Sequence, residues 1–197
     1  MALIILTACS GTGKSTIVRA LMARYSKLQL SVSHTTRSPR PGEVDGEAYH
    51  FIDQTHFESL IDQDAFVEWA QYAGHYYGTS HQMIQKSEAT GTHILFEVDT
   101  VGAAALKKAY PCALSCFLLP PSWQELERRL RDRGTETEEV IQRRLSVSRQ
   151  EINQAQSFDY LVVNDDLDQA IEDMSTLYQS LLLRTDHHQT PLNHLLQ

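Results

Sequence analysis

Residues 8–16 read ACSGTGKST and follow the apolar run LIIL. Glycines that turn a strand into a helix present successive backbone N–H groups and a helix N-terminus to an anion. The stretch ends as a phosphate-binding loop does, G-x-x-x-x-G-K-[ST]. In that pattern Lys14 reaches the β- and γ-phosphates of a nucleotide and the Ser15 hydroxyl holds Mg2+. Ala8 stands where the pattern has its first glycine. If the backbone there needs a positive φ, alanine costs on the order of 1 kcal/mol; if it does not, the cost is near zero. Gly11 and Gly13, the glycines closest to the phosphates, are both present. Ala8, Cys9, Ser10, Gly11, Thr12, Gly13, Lys14, Ser15 and Thr16 are therefore the candidate cradle for a triphosphate.

A second constellation is SHTTRSPRPG at 33–42. Arg37 and Arg40 sit three apart in a stretch stiffened by Pro39 and Pro41, which suits fork-like donation to one small phosphate. Tyr49 in EAYHF and Tyr77 in HYYGTS offer hydroxyls to the same group. A third cluster is ERRLRDRGTETEEVIQRRL, with arginines on both sides of Gly134. Its interleaved glutamates also allow a salt-bridged helix pair. Glu97 and Asp99 close an apolar strand, where a carboxylate commonly orients Mg2+ through water; how the two divide that work is open. The nine histidines show no ligand spacing, so no metal beyond Mg2+ is expected.

Elements that would position these groups alternate along the chain. LIILTA (3–8), HILFEVD (93–99), ALSCFLL (113–119) and YLVVND (160–165) are β-rich and apolar. Each precedes a segment of helical period: 14–25, 102–110, 122–133 and 167–184. Ser122 with Glu125 makes a capping-box start for the third. Apolar strands alternating with helices imply a parallel sheet covered on both faces, with ligands at the strands' carboxyl ends. Residues 33–90 break the rhythm and read as an inserted subdomain.

The 197 residues are the size of one domain, and 42% hydrophobic content is enough for a core. A net charge of −8 argues against a surface that grips nucleic acid, so positive charge must be local. The odd cysteine count suits a reducing compartment. The N-terminus reads as a buried strand, not a signal peptide, and no apolar run approaches the roughly 20 residues of a membrane span. A cytoplasmic protein with no membrane partner is expected.

SHTTRSPRPGEVDGEAYHF, FVEWAQYAGHYYGTS, RGTETEEVIQRRL and VVNDDLDQA, taken with the loop, resemble the signature segments of the guanylate kinase family. The likeness runs from residue 3 to about 183. The family phosphorylates GMP with ATP, in purine nucleotide metabolism. The resemblance implies an α/β fold: a P-loop NTPase core of three α/β/α layers on a parallel sheet (1–32, 91–126 and 157–184). It further implies a GMP-binding insert (33–90), a helical lid (about 127–156) and a C-terminal tail (185–197). Carried over by position, Ser33, Arg37, Arg40, Tyr49, Glu68, Tyr77, Thr79 and Asp99 correspond to GMP contacts. Arg129, Arg133 and Arg144 correspond to lid arginines at the phosphates, which with Lys14 and Arg37 would carry the catalysis. Asn164 corresponds to a position near the ATP adenine. Implied partners are ATP, GMP or dGMP, and Mg2+, with the chain a monomer or homodimer. One departure beside Ala8 is Val101, where the family usually has glutamine. Both departures leave room for a non-catalytic interaction module; the arginines, Lys14 and Ser15 argue against one.

The residue chemistry agrees with guanine on its own terms. The Watson–Crick edge of guanine offers adjacent N1–H and N2 amino donors, which a carboxylate such as Glu68 accepts together. Adenine has an acceptor at N1 and repels it. A hydroxyl from Ser33 or Thr79 can donate to O6. Buried groups matched to one base reject another by large factors, because they would be left unpaired.

Overall fold

A computed structural model of the chain describes residues 1–40, 42–72, 74–132 and 137–184, without the side chain of Tyr72. Strand β1 (Leu3–Ala8) is buried along its whole length, as an apolar run between two helical layers must be. The chain then turns through Gly11 and Gly13, at φ 93° and 94°, and enters helix α1 (Lys14–Arg24) at once. After it come β2 (Leu28–Leu30), β3 (His34–Thr35), β4 (His50–Phe51), α2 (Gln54–Asp62), β5 (Phe66–Tyr72), β6 (His75–Ser80) and α3 (His81–Thr90). The remaining elements are β7 (His93–Glu97), α4 (Thr100–Ala109), β8 (Leu114–Leu119), α5 (Trp123–Arg131), α6 (Glu138–Asn153), β9 (Tyr160–Val163) and α7 (Leu167–Leu182).

Five strands form one sheet in the order β2-β7-β1-β8-β9, and every pairing is parallel. Alternate side chains of β1 serve opposite faces. Ile4 and Leu6 pack with Ile17 and Leu21 of α1 and with Met174 and Tyr178 of α7. Leu3 and Ile5 pack with Phe96, Ile84 of α3 and Leu106 of α4. Burying one such side chain stabilises by about 1.5–3 kcal/mol before entropy is counted. The outcome is the three-layer core that the alternation predicts. A third cluster joins Cys9 and Phe117 to Leu126 and Leu130 of α5 and Ile141 and Leu145 of α6. It seats the arginine-rich helices on the phosphate loop's side of the sheet. Ser122 caps α5 by accepting the Glu125 N–H at 3.1 Å, which is half of the capping box; the Glu125 carboxylate turns to arginines instead.

The stretch between residues 34 and 80 supplies a second sheet in the order β4-β3-β6-β5. Its packing rests on rings: Phe57 of α2 stacks on Phe66 and Tyr76 at 4.5 and 5.1 Å between centroids. Gly78 of β6 makes room for that stack, since a Cβ there would lie 2.9 Å from the Phe57 ring. Among the described residues, no helix is long and apolar enough to cross a membrane.

Candidate active site

Ala8 keeps an extended backbone as the last residue of β1, in register with Leu118. Among the described residues only Asp64 is a non-glycine at positive φ. The open question over Ala8 is thus answered: the backbone there does not need glycine. The positive φ values fall on Gly11 and Gly13, where the loop has kept its glycines. Gly13 is needed twice over, because a Cβ on it would also come within 2.5 Å of Asn164 Nδ2.

Asn164, just past β9, is buried, and its side-chain amide donates to the Thr12 carbonyl at 2.6 Å. Its backbone N–H donates to Leu119 O at 2.8 Å, and its own carbonyl accepts from Arg129 Nη2 at 3.1 Å. The resemblance puts this residue beside the adenine. In the structure one of the two amide N–H donors goes to the loop, which leaves the second N–H and the Oδ1 for a base.

Lys14, the first residue of α1, reaches Glu97 at the carboxyl end of β7, 3.5 Å from its Oε1. Asp99 does something different: its carboxylate accepts the Gly102 N–H at 2.8 Å and caps α4. So the two acids left open by the sequence are separated, Glu97 at the lysine and Asp99 at a helix start. Ser15 and Thr16 are exposed in the first turn of α1. Glu151 of α6, which sequence reasoning missed, also faces this site. Burial pushes its carboxyl up, the Lys14 charge pulls it down, and Asp99 adds to the rise. The Cys9 thiol donates to Ser148 O of the same helix at 3.7 Å, and burial, aided by the Glu151 charge, pushes it up to about 12. This thiol is a packing group and no nucleophile.

In the second sheet Arg37 is held from several sides. Its Nη2 donates to both oxygens of Glu43 at 2.9 Å and its Nη1 to Ser38 O at 2.7 Å. The guanidinium carbon lies 5.4 Å from the Tyr49 ring centroid and 5.7 Å from that of Phe51. Tyr49 and Tyr77 meet edge to face at 5.9 Å. Burial pushes the Tyr49 hydroxyl up, and Tyr77 and Glu97 add to it, so this ring lies within electrostatic reach of Lys14's partner. Arg40 is exposed, and Ser33 enters β3 with its carbonyl accepting the His50 N–H at 2.9 Å. Glu43 is a second residue that sequence reasoning missed.

Glu68 of β5 is only 9% exposed and accepts the Thr79 hydroxyl of β6 at 2.6 Å. Burial raises its pKa, the Thr79 hydroxyl works against that, and Asp99 adds to it. Since Thr79 gives its proton to Glu68, Ser33 is the hydroxyl of the two left to donate elsewhere.

The arginines of α5 and α6 divide into two groups. Arg128 pairs with Glu125 and Asp132, and Arg131 with Glu127 and Glu138, as exposed surface pairs of small energetic weight. Arg129 and Arg144 point inward instead. Arg129 Nε donates to Glu125 at 2.7 Å while Nη2 meets Asn164, and Arg144 Nη1 donates to Ser10 Oγ of the loop at 2.8 Å. Arg133 and the tail at 185–197 lie outside the described residues. Val101 is 61% exposed on α4.

The profile of the guanylate kinase family matches residues 1–181. The guanylate kinase of Neisseria meningitidis serogroup A is 49% identical over 180 residues, covering 91% of this chain and 88% of that protein. That of Aromatoleum aromaticum is 47% identical over 182 residues, covering 92% and 89%. The crystal structure of guanylate kinase from Anaplasma phagocytophilum superposes with a TM-score of 0.76 at 26% identity, over 93% of this chain and 87% of that one.

Proposed function

This chain belongs to the guanylate kinase family and is an enzyme of it, and from that premise we propose the following reaction. The γ-phosphoryl group of ATP passes to the phosphate of GMP or dGMP, giving ADP and the nucleoside diphosphate. The observation that carries the choice of base is the buried Glu68–Thr79 pair. A carboxylate has about four acceptor sites. Thr79 uses one and fixes the group's orientation, and the others can accept the N1–H and N2–H donors of guanine. Ser33 donates to O6.

The acceptor's phosphate is held by Arg37 and Arg40 with the Tyr49 and Tyr77 hydroxyls. Lys14 and the loop amides hold the donor. Phosphoryl transfer then needs alignment and charge neutralisation and no covalent help from the protein, and the acceptor phosphate is already a nucleophile, so no general base is required. Arg129, Arg144 and, by resemblance, Arg133 add charge from the lid, whose closure keeps water out. The Ser15 hydroxyl and the Glu97 carboxylate beside Lys14 are hard oxygen donors of the kind Mg2+ accepts alongside waters and phosphates. When bound with ATP, that ion would neutralise the β- and γ-oxygens. The setting proposed is the cytoplasm and purine nucleotide metabolism, with the chain acting as monomer or homodimer.

The test is ADP formation across GMP, dGMP, AMP, CMP and UMP with ATP as donor. Turnover should rise with GMP and dGMP alone; no rise with GMP over the other acceptors defeats the proposal. A non-catalytic module loses the support it drew from Ala8, whose extended backbone leaves the loop intact.

A further inference from the structure

Glu43 takes no part in the reaction proposed above, yet three hydrogen bonds from two donor groups converge on its carboxylate. Arg37 Nη2 reaches both oxygens at 2.9 Å, and the Arg40 backbone N–H reaches Oε2 at 2.8 Å. In return the Glu43 N–H donates to the Arg40 carbonyl at 3.0 Å. That bond closes a turn in which Gly42 takes φ 87°, a value glycine adopts without steric cost. The turn is thus clipped twice, once through the backbone and once through the acid. The same acid reaches back to the guanidinium of Arg37, 12% exposed, on the faces of Tyr49 and Phe51.

A free arginine side chain carries rotamer entropy that binding must remove. Here most of it is removed before any ligand arrives, since a guanidinium has five N–H donors and the two contacts with Glu43 and Ser38 still leave others for a phosphate. The acid also offsets repulsion between two cations placed three residues apart.

We propose that Glu43 is a positioning residue of the monophosphate clamp, holding the Arg37 guanidinium and the Arg40 backbone in the register that receives the acceptor's phosphate. The inference rests on GMP being that acceptor. An acid in this place has two readings of opposite sign. A positioning acid strengthens substrate binding, whereas a carboxylate that merely fills the phosphate's place competes with it and weakens binding. Glu43 is tied to the Arg40 amide as well as to Arg37, so it is part of the turn and does not leave when the phosphate arrives.

The test is steady-state kinetics of the full chain with Glu43→Gln, Glu43→Asp and Glu43→Ala, varying GMP at saturating ATP and the reverse, beside calorimetric titration of GMP. Loss of charge-assisted bonds to two clamp residues should raise KM and Kd for GMP by about tenfold or more in Glu43→Ala. KM for ATP should stay within about twofold, and Glu43→Asp should recover part of the loss. Tighter GMP binding in Glu43→Gln overturns the proposal in favour of a competitor. Equal rises in both KM values, or a lowered Tm without a change in GMP affinity, overturn it in favour of a role in folding alone. Wild-type protein without GMP turnover would instead refute the reaction itself, an outcome visible before any variant is made.

Discussion

Truncating Asn164 is the sharpest probe of how the phosphate loop keeps its shape. Asn164→Ala deletes a buried hydrogen bond of 2.6 Å and leaves the carbonyl of Thr12, a residue with 0% exposure, without that donor. An unsatisfied buried acceptor costs about 1–3 kcal/mol. For a domain of this size 1 kcal/mol moves Tm by roughly 2–4 °C, so melting should fall by about 2–12 °C. The strain falls where Gly13 turns at φ 94° toward α1, so part of it should appear as weaker ATP binding, with KM up by about tenfold for each 1.4 kcal/mol. KM for GMP should hardly move, since the clamp stands on the second sheet. Asn164→Asp keeps the size but can only accept, which sets oxygen against oxygen and adds negative charge beside the phosphates. It should therefore be worse than alanine on both readouts. Thermal melts with and without ATP, followed by kinetics on both substrates, decide the matter. An alanine variant melting within a degree of wild type with unchanged ATP affinity refutes the brace, and a stable aspartate variant refutes the direction of the bond.

Ala8→Gly should lower stability by about 0.5–1 kcal/mol, since glycine weakens a strand and the backbone there is extended, with ATP KM within about twofold; a clear gain in ATP affinity would contradict this. Glu68→Gln turns one acceptor toward guanine into a donor, and kcat/KM for GMP should fall by about 100-fold or more. IMP lacks the 2-amino group that clashes with the new donor, so it should lose less; equal losses would show that Glu68 does not read that edge. His34 is pushed down to about 4 by burial, with the charges of His50 and His56 adding and Asp45 opposing, and its Nδ1 has no hydrogen-bond partner among the described residues. Its folded pKa lies below the unfolded 6.5, so the unfolded chain binds the proton more strongly. Stability is then intact above pH 6.5 and falls as the pH drops from there toward 4, by about 1–2 kcal/mol after allowance for partial exposure. His34→Gln should flatten Tm against pH over that interval, and a slope matching wild type would remove His34 as the cause.

The core was legible because its strands are apolar from end to end and each leads into a helix, so period and burial coincide. Helix and strand bounds shifted only at their ends. β2 went unread because a three-residue strand with one buried and one exposed position has no period to detect. β3 and β4, two residues each, are held by backbone bonds from neighbouring strands and leave no pattern of their own. Among the proposed site residues, those that stand close together in the chain could be picked out by spacing: the loop from Ala8 to Thr16, and Arg37 with Arg40.

What stayed hidden are contacts made across long stretches of chain. Cys9 meets Ser148 over 139 residues, Ser10 meets Arg144 over 134 and Thr12 meets Asn164 over 152. No sequence window relates those pairs, and each member has an ordinary local explanation: a strand-end cysteine, a helix arginine, a turn asparagine. Folding makes them one unit. Ser148 lies one helical turn beyond Arg144, and Glu151 about one turn beyond that, so a single face of α6 presents all three to the loop and Lys14. The loop is thus held from beneath by Asn164 and from the side by α6. An anion in the loop would compete with Ser10 for the Arg144 guanidinium, so the loop's occupancy bears directly on this contact between loop and helix.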